Sequence, residues 1–161
     1  MSLYADLQKR YETREAAIQA QLHLLSKAAA DLASGFGKYL GLPGDRWNHP
    51  DGKIGDRYVT LGEGAGHAFK EKRWNELSSL NGKVDFSLAL TIVSEDRDSR
   101  TIYVFDMSVQ FCDEGYLFDV NGKGVILEVE SVKSGSFEPV YNQIVEILIA
   151  RLDQSKILIK N

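Results

Sequence analysis

Hydrophobic positions recur along the first forty residues in steps of mostly three and four: Tyr4, Leu7, Tyr11, Ile18, Leu22, Leu25, Ala29, Leu32, Phe36 and Tyr39. This spacing predicts one amphipathic helix over residues 2–40, with an edge that resembles a coiled-coil seam. Arg14 occupies one seam position, and the step from Ile18 to Leu22 breaks the strict heptad. Alanines dense between positions 16 and 33 favour helix intrinsically, Gly35 and Gly37 weaken its end, and the segment GLPGD at 41–45 stops it. About 38 helical residues would reach roughly 55 Å. A compact domain of this size is only about 40 Å wide. The helix must therefore bend, break near Ala16, or project beyond the body, and a projecting half with an apolar seam would seek a second copy of itself.

From residue 84 the period changes from 3.6 to 2. VDFSLALTIVS places Val84, Phe86, Leu88, Leu90 and Ile92 on one face, and TIYVFDMSVQF does the same with Tyr103, Phe105, Met107, Val109 and Phe111. YLFDV (116–120) and VILEVES (125–131) follow, the latter expected to bury Val125, Leu127 and Val129. Alternation broken by SEDRDSR, CDEG and VNGKG indicates an antiparallel meander with one buried face, the Asn-Gly pair being favoured in two-residue hairpins. LNGK at 80–83 predicts a further strand before residue 84. Ser136 is expected to cap a last helix, with Pro139 in its first turn and Val140, Tyr141, Ile144, Val145, Leu148 and Leu152 on its apolar face. KILIK at 156–160 is expected to add an edge strand or to pack on the sheet.

The segment between, residues 41–83, has no strong period. DRYVTL (56–61) reads as a short strand and HAFKEKRWNELSSL (67–80) as a short helix. The whole is expected to be a single α+β domain over residues 1–161. It comprises a long N-terminal helix, an irregular Gly-rich segment, a meander of four to five strands, and a C-terminal helix packed on one face in two layers.

Composition narrows the function classes. The chain is 161 residues long, ordinary for one domain. Its net charge of −4 is uneven: residues 1–83 hold twelve Lys/Arg against ten Asp/Glu, the remainder seven against thirteen. The only compact basic run, Lys70 to Arg73, is interrupted by Glu71, so a nucleic-acid partner is not expected. No window is apolar enough to span a membrane, and residues 1–15 lack the pattern of a secretory signal. Cys112 is the only cysteine, which excludes an internal disulfide and makes a cytoplasmic location the expectation.

Chemistry candidates are sparse. TLGEGAGHAFK (60–70) suggests a phosphate loop, but Gly62, Gly64 and Gly66 have neither Walker nor dinucleotide spacing, and Glu63 puts a carboxylate where the anion would sit. A flexible corner is the better reading. His23, His49 and His67 form no paired metal motif, and no metal or other cofactor is expected. Cys112 lies beside Asp113 and Glu114, which disfavour a thiolate. GDRW (44–47) and GDRY (55–58) form a short echo in the same stretch. Trp47, His49, Arg57, Tyr58, His67 and Arg73 are the candidate ligand- or partner-binding residues; no catalytic set is identified. Strand alternation further places Asp85, Asp106, Asp119, Glu128 and Glu130 on the face opposite the helices, an acidic surface suited to a basic protein partner.

The expected function is accordingly a non-enzymatic interaction module of the inhibitor, immunity or adaptor type. It would act as a homodimer with an acidic sheet face. The alternative is a small-molecule-binding domain or enzyme with a pocket between the sheet and residues 44–74.

Overall fold

The structure is a computed structural model, and residues 2–153 are described; KILIK lies outside them. Helix α1 runs unbroken from Leu3 to Leu40. Ser2 caps its start by accepting a hydrogen bond from the Ala5 amide at 3.1 Å, and Asp6 favours the positive end of the helix. At the other end the Gly41 N–H reaches the Lys38 carbonyl and the Leu42 N–H the Gly37 carbonyl, both at 3.1 Å, with Gly41 left-handed at φ 74°. This is a Schellman stop, and Gly41 is there because a side chain at that φ is strained.

Only the second half of α1 is packed. Leu25, Ala28, Ala29, Leu32 and Phe36 are buried, each no more than 2% exposed, whereas before Leu25 no residue of the helix is buried. The core they join is lined by Val84, Phe86, Leu88 and Leu90 of one strand and Phe105, Met107 and Val109 of the next.

The chain then forms a two-stranded hairpin, β1 (Arg46–Asn48) with β2 (Ile54–Arg57), and enters a seven-stranded antiparallel sheet. Its strands are β3 (Val59–Glu63), β4 (Lys70–Glu71), β5 (Ser79–Leu80), β6 (Lys83–Val93), β7 (Arg100–Cys112), β8 (Gly115–Val120) and β9 (Lys123–Leu127). The order is β4-β3-β6-β7-β8-β9, with β5 pairing the start of β6. Both Asn-Gly turns close two-residue hairpins: Leu80 pairs with Lys83 and Val120 with Lys123, and Asn81, Gly82, Asn121 and Gly122 all have positive φ. The α+β expectation holds, with more strands than the four or five expected, because the irregular segment contributes β3, β4 and β5.

Two local expectations fail. Residues 67–80 are not a helix; they hold two 3-10 turns (Gly66–Ala68 and Trp74–Glu76) and two short strands. Sheet pairing to β3 and β6 overrides a weak helical period. The last strand ends at Leu127, after which α2 (Val129–Lys133) begins, so Val129 is exposed instead of buried.

Helix α3 (Glu138–Leu152) follows, capped at Phe137 and not Ser136, with Pro139 in its first turn. It lays Val140, Tyr141, Ile144 and Leu148 on the same face of the sheet as α1. The two helices meet at one close crossing. The Tyr141 hydroxyl, buried, donates to the Leu32 carbonyl at 2.7 Å, and its ring stacks on Phe36 at 5.4 Å. Burial, and secondarily the charge of Asp31, pushes the Tyr141 phenol well above its ordinary pKa. Gly35 makes the crossing possible: a Cβ there would stand 2.6 Å from the Tyr141 oxygen.

This crossing makes a signed prediction. Gly35→Ala should lower stability by about 1–3 kcal/mol, because overpacking outweighs the roughly 1 kcal/mol gained in helix propensity. With Tyr141→Phe already in place the same change should be neutral or stabilising, since the oxygen it would strike is gone. A thermal-unfolding double-mutant cycle reads the difference. Additive losses would show that the hydroxyl is not what excludes a side chain at position 35.

Candidate functional site

Two surfaces carry features that the fold itself does not use. The first is the N-terminal half of α1. Leu3 is 76% exposed, Tyr4 70%, Leu7 53% and Tyr11 64%, and these four fall on neighbouring turns. The described side-chain contacts in this stretch are internal to the helix: Arg10 to Asp6 at 3.0 Å, Arg14 to Glu15 at 3.2 Å, and the Thr13 hydroxyl to the Lys9 carbonyl at 2.9 Å. Further along, the His23 ring meets Trp74 edge-on at 4.9 Å. The helix touches β3, β6, β7, α3 and the turn at Trp74 only with its later turns. A row of large apolar groups on helix that no described residue of the body covers is an exposed apolar patch.

The second surface is the outer face of the sheet, opposite the helices. The pleat puts Asp85, Ser87, Ala89 and Thr91 of β6 there, with Arg100, Ile102, Val104, Asp106 and Ser108 of β7 and Asp119 of β8. The β1–β2 hairpin lies over one part of it. The bulge between Arg46 and Asn48 accompanies the turning of Trp47 inward, where it is 3% exposed, while Arg46 and Arg57 pair directly opposite each other and stay exposed. The Arg100 guanidinium lies 4.9 Å from the Trp47 ring centre and the His49 ring meets the indole edge-on at 4.5 Å. Gly55 permits this seating, since a Cβ there would be 2.6 Å from the indole. A cleft of about 370 Å³ remains beside it, lined by Trp47, Phe69, Thr91, Arg100 and Ile102 among others.

The rest of the outer face forms a cleft of about 1530 Å³. Its lining includes Gly66, His67 and Phe69, the sheet residues Asp85, Asp106, Ser108 and Asp119, and Arg151 of α3. Asp85, Ser108 and Asp119 stand in one row across three strands, with Asp106 opposite Ser87 in the next row. Among the described residues none of the three carboxylates is in an ion pair. Ser87 reaches Asp106 at 3.4 Å, and Asp119 accepts from the Gly122 amide at 2.8 Å. No three His, Cys, Asp or Glu side chains converge as a metal site among the described residues.

Beside this cleft β7 outruns its neighbour. Pairing with β8 begins at Met107, so among the described residues β6 is the one strand paired with residues 100–106. The Thr91 N–H goes to the Tyr58 carbonyl at 2.8 Å, away from β7, which makes Thr91–Ile102 a non-hydrogen-bonded pair. The Ile102 amide and carbonyl consequently point to the open side. Asn121 satisfies Asp106 there, through its side-chain oxygen and its N–H, each at 2.9 Å, and Arg151 donates to the Val104 carbonyl at 3.4 Å. Among the described residues this stretch is a short unpaired edge, of the kind that accepts an extended chain.

The sequence-based candidates are therefore dispersed. Trp47 and His49 touch each other, and Arg57 lines the smaller cleft with Trp47; Tyr58 lies between β2 and β3, and His67 belongs to the larger cleft. Arg73 starts the Trp74–Glu76 turn and faces a separate recess against Ala30 and Ala33 of α1. Of the five acidic candidates, Asp85, Asp106 and Asp119 share the outer face. Glu128 and Glu130 do not, because the strand ends at Leu127 and the chain turns into α2. Gly62 and Gly64 form a tight corner in which added Cβ atoms would strike the Lys70 and Ala68 carbonyls. Sequence reasoning missed Arg100, which lies at the end of what reads as a polar loop, and the free edge of β7. The one available signal was length, thirteen residues against six in β8.

Comparison with protein-family models, with curated proteins and with solved structures finds no match to this chain. Among the described residues no helix is long and apolar enough to cross a membrane.

Gly55→Ala tests the seating of Trp47. In a Trp74→Phe background, emission from Trp47 should shift to the red as the indole is displaced, with a stability loss of about 1–3 kcal/mol. Unchanged emission would show that the hairpin does not depend on that contact.

Proposed function

We propose that the protein is a non-enzymatic interaction module that acts as a homodimer. The observation behind this reading is the exposed row Leu3, Tyr4, Leu7 and Tyr11 on a helix half that the described residues of the body leave uncovered. Helices in proteins draw most of their stability from packing an apolar face, so packing against a second copy supplies to this half what the described body does not. A cytoplasmic setting fits the single cysteine. Leu7→Glu with Tyr11→Glu should convert a dimer to a monomer in sedimentation. Melting of the body should change by no more than about 0.5 kcal/mol, as for surface positions without partners. A wild-type chain that stays monomeric at high concentration would sink the reading.

The outer cleft is where this module would take a basic partner. Asp85, Asp106 and Asp119 offer carboxylates that no described residue pairs with as an ion, and the adjoining edge of β7 offers backbone groups to an extended segment. The small-molecule alternative is the weaker reading, because Arg100 already lies against the Trp47 ring in the cleft beneath residues 44–74. A lysine-rich peptide should bind at low salt and weaken as salt rises through the physiological range. The triple change Asp85→Asn, Asp106→Asn, Asp119→Asn should reduce affinity at least tenfold. Binding indifferent to those three residues would remove the outer face from the account.

A further inference from the structure

Resting on the dimer reading, we infer that the two copies of α1 pair antiparallel, with Arg14 of each packed on Tyr11 of the other. The heptad over the free half places Tyr4, Leu7, Tyr11, Arg14, Ile18 and Gln21 along one seam. A parallel, in-register pair would set each seam residue against its own copy and bring two Arg14 guanidinium groups together in a desolvated layer. Like charges so placed are strongly unfavourable. The compensation, Arg10 beside Glu15 of the second copy, is a solvent-exposed ion pair, among the weakest of contacts. Both residues also already have partners within their own helix.

In the antiparallel arrangement the layers join unlike residues. The register is bounded by the body: Gln21 is exposed, but Leu22 is half-buried and Leu25 buried, so a second helix cannot advance past the turn at Gln21. The deepest register that respects this bound sets Tyr4 against Gln21, Leu7 against Ile18 and Tyr11 against Arg14, each twice by symmetry. At the two ends the Tyr4 ring lies along the Gln21 stem, and its hydroxyl can hydrogen-bond the side-chain amide at the wet rim. Two aliphatic groups meet in the next layer. At the centre a guanidinium stacks on an aromatic face, the geometry in which Arg and Tyr attract. The flanks place Gln8 near Glu15 and Arg10 near Ala17, with no like charges opposed.

The surface is of the right order. Four tyrosines, each presenting about 150–250 Å² and roughly two-thirds exposed in the single chain, supply about 400–650 Å² of the ~1,200 Å² that a stable interface buries. The leucine and isoleucine layers, with Leu3 at 76% exposure, extend it.

Spin labels distinguish the arrangements without touching the seam. In a Cys112→Ser background, one variant carries a label at Ala5→Cys and another at Glu12→Cys, and pulsed dipolar spectroscopy measures the distance between copies. The antiparallel register aligns residue 5 with residue 20, an axial offset of about 22 Å, and residue 12 with residue 13, about 1.5 Å. A long distance at position 5 with a short one at position 12 is the expected result. Short distances at both would establish a dimer of parallel helices and overturn the inference alone. No dipolar signal at either position, with a monomeric mass, would overturn the dimer reading beneath it.

Discussion

Helix α1 buries its apolar stripe only where the sheet offers a surface, and that surface ends near Leu22. Beyond it the same three-four pattern continues toward the N-terminus for about five more turns, displaying tyrosine and leucine to water. The packed half is fixed from two sides. Leu25, Leu32 and Phe36 press on the inner faces of β6 and β7, and the Tyr141 hydroxyl holds the Leu32 carbonyl across the gap left by Gly35. Because both ends of α1 are properly stopped, by Ser2 and Gly41, the free half is a continuation of the anchored one.

The opposite face of the sheet is governed by a different constraint, the mismatch between β7 and β8. A thirteen-residue strand beside a six-residue one must leave an edge, and the molecule covers most of it piecemeal. Asn121 satisfies Asp106, Arg151 reaches round from α3 to Val104, and Arg100 is drawn to Trp47. Among the described residues the stretch around Ile102, next to three carboxylates, has no strand partner beyond β6. The helical side of the molecule thus carries the surface proposed for self-association, and the outer side the surface proposed for a partner of another kind.

Much of this was legible in the sequence wherever a period was strong and local. Long stripes in α1 and α3, alternation in β6 and β7, and Asn-Gly turns at 81–82 and 121–122 each specify structure within a few residues. Segment 67–80 misled because Trp74, Leu77 and Leu80 fall three residues apart, as on a helix face, while Lys70–Glu71 pairs back on β3 and Ser79–Leu80 pairs forward on β6, leaving only the Trp74–Glu76 turn between them. Glu128 and Glu130 misled because alternation runs smoothly through Leu127 and Val129, and the switch from strand to α2 leaves no break in the pattern. The site was less legible than the fold, for a physical reason. Trp47 meets Arg100, and His67 shares a cleft with Asp85 and Asp119, only through β-pairing across tens of residues, which composition and spacing do not encode. The echo of GDRW and GDRY overlaps the two strands of one hairpin, where Arg46 pairs with Arg57.

The central claim is that the free half of α1 is an interface, and amide hydrogen exchange measured as a function of protein concentration tests it most directly. A helix half without tertiary support opens readily, so its amides exchange fast in a lone chain. The account predicts that protection over residues 3–21 rises with concentration while protection of β6 and β7 stays constant. Protection of residues 3–21 that is the same at every concentration, whether low or high, would contradict it.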